Sequence, residues 1–216
     1  MRVSLVTALF LFAVAPLSAQ RVTLGIDAAL ADYREQGPAL RFTGGGLAGR
    51  AAVEMWRIRV HARATRVHVT GASESAEVTD AFDIAQNDVA VRMRLTPRVS
   101  IEAGILSRTM TPEHAAQSMQ AWRAGGVFLQ PLAPGADLAV RAAYLGATKF
   151  GGGGTAAFGL DVGLAVSYGP GSGRVRLTAE YDFQRIDRKT RLGDLRVDVP
   201  IQSAIARIGV AAAFGR

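Results

Sequence analysis

"VRMRLTPRVSIEAGI", residues 91–105, decides the fold. Val91, Met93 and Leu95 alternate with Arg92 and Arg94. Beyond Thr96-Pro97-Arg98, Val99, Ile101, Ala103 and Ile105 alternate with Ser100, Glu102 and Gly104. A period of two is the signature of a strand with unlike faces. Pro97 fixes φ and has no N–H to give to a ladder, so the step between the two runs is a tight turn. The stretch is a β-hairpin with one apolar and one charged face, and the fold depends on which face is inside. A soluble barrel turns its apolar face inward. A membrane barrel turns it to lipid and fills its lumen with the polar face.

The same pattern continues along the chain. It predicts strands at about 22–33, 40–53, 56–69, 82–95, 98–108, 120–130, 136–147, 156–168, 174–187 and 201–214. The clearest runs are "DLAVRAAYL", "FGLDVGLAVSY" and "RVRLTAEYDF". The weakest is 40–53. Phe42 differs in parity from Leu47, Val53 and Met55, so a bulge or bend is expected at Gly44-Gly45-Gly46. Connections alternate between tight ones (Thr96-Pro97, 131–135, 169–173) and longer polar or glycine-rich ones (71–80, 109–119, 149–154, 188–199). Residues 112–122 have room for a short helical turn. The reading is an all-β, antiparallel up-and-down barrel of about ten strands. Eight follow if 40–53 fails, and twelve if 188–201 hides a hairpin. No helix-period stretch of useful length occurs.

Three features point the apolar face outward. The polar face carries long charges: Arg57, Arg59 and Arg63; Arg92 and Arg94; Glu102; Arg141; Asp161; Arg176, Glu180 and Asp182; and Arg207. Arginine with carboxylate, rather than lysine on a solvated face, suits a narrow lumen of paired charges; the only lysines are Lys149 and Lys189. The apolar face is rich in small aliphatics. Aromatics gather near predicted strand ends, with Trp56, Phe128, Tyr168 and Phe214 toward the tight turns. Tyr33, Phe42, Phe82, Trp122, Tyr144, Phe158 and Phe183 lie toward the long loops. Two aromatic girdles around an apolar band are what a bilayer selects.

The formal net charge of +7 admits nucleic acid or an anionic surface, but no Lys/Arg-rich run is present and no nucleic-acid partner is expected. The absence of cysteine excludes disulfides and thiolate metal sites. Residues 1–19 combine Arg2, an apolar run from Val3 to Ala15, Pro16 and small residues, the layout of a secretory signal peptide. That run is shorter than the roughly 20 residues of a spanning helix. The expected organisation is a signal segment, 1–19, followed by one barrel domain, 20–216.

On these patterns the chain resembles the small outer-membrane β-barrel proteins of Gram-negative bacteria, over the whole of residues 20–216. The resemblance implies residence in the outer membrane, contact with outer-membrane lipid, and insertion by the barrel-assembly machinery. That machinery reads a final strand ending in Phe; here Ile208, Val210, Ala212 and Phe214 keep the parity, but Gly215 and Arg216 follow.

The residues leave four functions open. One is a structural or surface-interaction barrel with an Arg/carboxylate-filled lumen. The others are a narrow anion-preferring pore, a soluble lipocalin-like binding barrel, and an outer-membrane lipid-modifying hydrolase. A Ser-His-acid set needs His beside a nucleophile. His68 lies near Ser73 and Ser75, and His114 near Glu113 and Ser118, but no spacing demands catalysis. No metal-ligand spacing or nucleotide loop is present, so no enzyme, metal or cofactor is expected. Edman sequencing of protein purified from membranes should begin at Gln20 or close to it. A retained Met1 would remove the signal-peptide reading.

Overall fold

The computed structural model describes residues 20–36, 39–72, 81–112, 114–169, 174–192 and 195–215. The expected signal segment and the loop at 73–80 lie outside them. The chain forms ten strands: β1 (Gln20–Gln36), β2 (Ala39–Met55), β3 (Ile58–Gly71), β4 (Phe82–Arg94), β5 (Val99–Thr111), β6 (Met119–Ala133), β7 (Ala136–Phe150), β8 (Thr155–Tyr168), β9 (Val175–Leu192) and β10 (Leu195–Phe214). Each pairs antiparallel with its chain neighbours, and β10 pairs with β1 to close the barrel. Closure removes the sheet's free edges, which hydrocarbon cannot hydrogen-bond. Among the described residues no helix is long and apolar enough to cross a membrane.

Among the described residues the strand count is ten, not eight or twelve. Segment 188–201 is not an extra hairpin; it lengthens β9 and β10, which stay in register up to Leu192 opposite Leu195. Residues 114–118 hold the expected short turn, a 3-10 segment at Ala115–Gln117.

The expected bulge in β2 is absent. Its register runs without a shift from Gln36–Ala39 to Gln20–Met55 against β1, and from Phe42–Gly71 to Met55–Ile58 against β3. The glycines serve curvature instead. A Cβ on Gly44 would lie 1.8 Å from the His68 carbonyl oxygen, and one on Gly46 2.0 Å from that of Arg66. Only glycine lets the wall bend so tightly there.

The opening question is answered at the hairpin β4–β5. Val91, Met93, Val99, Ile101 and Ile105 are exposed on the outer wall, while Glu102 is buried and Arg92 turns to it in the lumen. The rule extends around the barrel. Leu24, Leu47, Leu164, Leu177 and Ile208 are outside, Ile208 with 71% of its surface exposed; Asp161 and Arg207 are inside, with 0% and 2%.

The aromatic girdle needs a correction. Trp56, Phe128, Tyr168 and Phe214 are exposed at the tight-turn end, as are Trp122, Tyr144 and Phe158 toward the other. Tyr144 contacts Trp122 and Phe158 at ring-centroid distances of 5.7 and 6.4 Å. Phe183 is half-buried on the outward parity. Tyr33 and Phe82 do not belong to the girdle: they point inward and are 0% and 1% exposed. The lumen is apolar at their level, so polarity no longer reports the face. Phe42, also inward, breaks the parity of β2 for the same reason.

The outer wall makes a direct prediction at β8. Leu164→Arg should cost about 2–4 kcal/mol of folding stability, the range for a lipid-facing cation at mid-bilayer. Ala165→Ser, on the lumen face, should be nearly silent. A fluorophore on Leu164→Cys should be quenched by brominated acyl chains and one on Ala165→Cys should not. Equal quenching at both would mean that the apolar wall does not meet lipid.

Candidate functional site: the three layers of the lumen

Inward side chains stack in three layers. The middle one is an ion lattice. Asp182 accepts from Arg141 at 2.8 Å, from Arg63 at 3.1 Å and from Arg207. Asp161 accepts from Arg141 at 2.8 Å and Arg123 at 3.1 Å. Arg123 also reaches Asp88 at 2.5 Å and Glu102 at 3.0 Å, and Glu102 holds Arg92 at 2.7 Å. Glu180 takes Arg63 and Arg50, and Arg50 goes on to Asp27 at 3.0 Å. All ten strands contribute a member, and arginines and carboxylates are equal in number. A buried charge is tolerable only when paired and hydrogen-bonded, and the planar guanidinium can serve several carboxylates at once.

Above the lattice, Arg108 is wholly enclosed and donates to the side-chain oxygens of Gln86 and Gln184. Beyond it toward the long loops the lumen becomes a hydrophobic core: Tyr33, Phe42, Phe82, Leu106, Met110 and Leu145 are buried there with their aliphatic neighbours. Phe42 and Phe82 meet edge-to-face at 4.9 Å, and Tyr33 meets Phe82 at 6.0 Å. The segment after β5 folds over this core. His114 lies against Phe82 at 4.4 Å and Phe42 at 5.0 Å. Tyr33 Oη and Gln117 Nε2 donate to Glu35 at 2.8 and 3.1 Å. The amides of Gly151 and Gly152 donate to the carbonyls of Ser118 and Ala116.

Below the lattice, at the tight-turn end, the lumen opens into a cavity of about 410 Å³. Arg21, Arg57, Arg59, Arg94, Arg174 and Arg176 line it, with Glu54 and Asp137. Arg57 lies in the turn after β2, over the Trp56 ring at 5.1 Å.

The structure therefore places each charge named from the sequence in the lumen or at its mouth: Arg63, Glu102, Arg141, Asp161, Glu180, Asp182 and Arg207 in or beside the lattice, with Arg92 beneath Glu102. Arg57, Arg59, Arg94 and Arg176 are around the cavity. The parity argument missed Asp27, Arg50, Asp88, Arg108 and Arg123. Its signal was present for Arg123, which alternates with the outward Trp122 and Ala124. Of the histidines, His61 lies 3.8 Å from Glu102 in the lumen. His68 is on the outer wall, its Nδ1 2.9 Å from Asp83, which also receives Arg66 at 2.8 Å. Ser73, Ser75 and Glu113 lie outside the described residues. Among the described residues no group of His, Asp and Glu could hold a metal ion.

No protein-family profile matches the chain, and no curated protein sequence matches it. Solved structures do resemble it. Neisserial surface protein A is 17% identical over 89% of this chain and 97% of its own, with a TM-score of 0.44. An outer membrane channel from Pseudomonas putida F1 is 8% identical over 93% and 97%, with a TM-score of 0.48. Ail, the attachment invasion locus protein of Yersinia pestis, is 12% identical over 90% and 98%, with a TM-score of 0.43. A closed antiparallel barrel with an apolar wall, aromatic belts and a charged interior is an integral outer-membrane β-barrel protein.

Asp182 is the carboxylate partner of the buried Arg207, whereas Arg141 and Arg63 keep Asp161 and Glu180, so Asp182→Ala strands the Arg207 guanidinium. Urea unfolding in detergent micelles should show a loss of about 3–5 kcal/mol, the range for removing one partner of a buried pair. Asp187→Ala, which frees only the half-exposed Arg185 on the outer wall, should stay within about 0.5 kcal/mol. A loss below about 1 kcal/mol for Asp182→Ala would mean that the lattice is hydrated.

Proposed function

We propose that the protein is a closed barrel whose role is structural or lies in surface interaction, rather than a conduit or an enzyme. The observation that carries this is the apolar core between the ion lattice and the long loops, together with the cover of residues 114–118. An ion crossing the barrel would leave the arginines and enter a dry aromatic plug, where an unpaired charge costs far more than it gains. A ten-strand barrel has little lumen once side chains fill it, whereas aqueous channels belong to barrels of 16–18 strands. In this reading the tight turns face the periplasm and the long loops the exterior, the usual arrangement of such barrels.

The partners are those of an inserted barrel. Outer-membrane lipid covers the wall. The assembly machinery acts on β10, whose closing strand carries Phe214 outward ahead of Gly215 and Arg216. The reading is non-catalytic because Asp83 is already shared between Arg66 and His68 on an exposed face, the arrangement of a surface ion cluster.

Planar-bilayer recordings of the purified barrel in 1 M KCl test the reading. It predicts no unitary current steps from the wild type. Replacing the plug residues Phe82, Leu106 and Met110 together by Ser should give small steps. Stable wild-type steps, anion-selective in a salt gradient, would overturn the closed barrel in favour of the narrow pore.

A further inference from the structure

The closed barrel leaves the cavity at its tight-turn end without an obvious purpose, because a filler would have been simpler. The lattice above it is balanced, with a carboxylate for every arginine. The cavity is not. Asp88, Glu180 and Asp182 face it from the lattice, where each is already paired with arginine. Of the two carboxylates below the lattice, Asp137 is taken by Arg176 at 2.6 Å, and Glu54 stands 4.0 Å from Arg94. Arg21 on β1, Arg59 on β3 and Arg174 just before β9 form no ion pair with the described residues, and Arg57 has only the Trp56 ring. These four come from different parts of the wall and share one chamber.

We propose that this chamber is a binding site for a small polyanion bearing phosphate groups. A ring of cations inside low-dielectric walls focuses its field into the space between them and concentrates anions there. Arginine presents a planar fork of donors that matches two phosphate oxygens at once, and no lysine lines the chamber. The volume of about 410 Å³ lies within the usual range for small-ligand pockets, roughly 300–1,000 Å³. It exceeds what one orthophosphate fills and accommodates a chain of two or three phosphoryl groups. The anion enters from water and stops beneath the lattice, whose charges are already satisfied. Only that dead end rests on the closed-barrel reading; the site itself does not, so the current recordings and the titration below fail separately.

Isothermal titration of the detergent-folded mature chain with sodium tripolyphosphate at low ionic strength tests the site. The expected result is one saturable site per barrel, weakened at least tenfold by Arg59→Gln and by Arg174→Gln. Arg66→Gln, on the outer wall, should leave it unchanged. Phenylglyoxal labelling of the wild-type protein gives a second measurement that needs no variant: tripolyphosphate should protect Arg59 and Arg174 and leave Arg66 reactive. Absence of a saturable site, equal weakening by Arg66→Gln, or uniform protection of all three arginines would overturn the proposal. Citrate binding as tightly as tripolyphosphate would overturn the assignment to phosphate.

Discussion

A guanidinium at the centre of a barrel whose outside meets hydrocarbon has little water to solvate it, so its charge must be met by a carboxylate from another strand. The arginines of this chain impose that condition on all ten strands at once. Asp182 on β9 meets Arg63, Arg141 and Arg207 from β3, β7 and β10, so it spans the lumen as well as bridging neighbours. Such pairs contribute little net stability, because both partners are desolvated. They do penalise other arrangements. A one-residue slip in any strand would point its charge at lipid and leave its partners alone in the lumen.

The three layers follow from that condition. Where the charges balance, the lumen is filled by ions. Toward the long loops the inward residues become Tyr33, Phe42, Phe82 and Leu106, and the lumen is filled as a soluble core would be. Toward the tight turns arginine is in excess, mutual repulsion disfavours filling, and space remains. The wall is apolar across its middle band and carries ion clusters toward the long loops, while the inside changes character along the axis.

The outer rim is uneven in a related way. Trp122, Tyr144 and Phe158 form an aromatic patch on β6–β8. On β1–β4 the aromatics near the long loops have turned inward, and the outer wall carries Asp32, Arg34, Arg41, Arg66, His68 and Asp83 in ion clusters. Aromatics moved into the plug are lost from the belt, and charged groups occupy the same height on the outside. The belt and the plug draw on one set of residues.

The sequence by itself determined the strands, their approximate bounds, the barrel class and the face of most charges. Each of these is local: a period of two, a turn-forming proline or glycine, and a long charge that lipid will not accept. It misassigned Tyr33, Phe42 and Phe82 and expected a bulge at Gly44–Gly46, because those inferences equated apolar with outward. That equation holds only where the lumen is polar. An apolar side chain is equally stable against lipid or inside a dry plug, and only the neighbours brought from other strands decide between them. Tertiary structure alone also decided which charges meet. Asp182 and Arg63 stand far apart in the chain, and their pairing exists only once β10 has closed on β1.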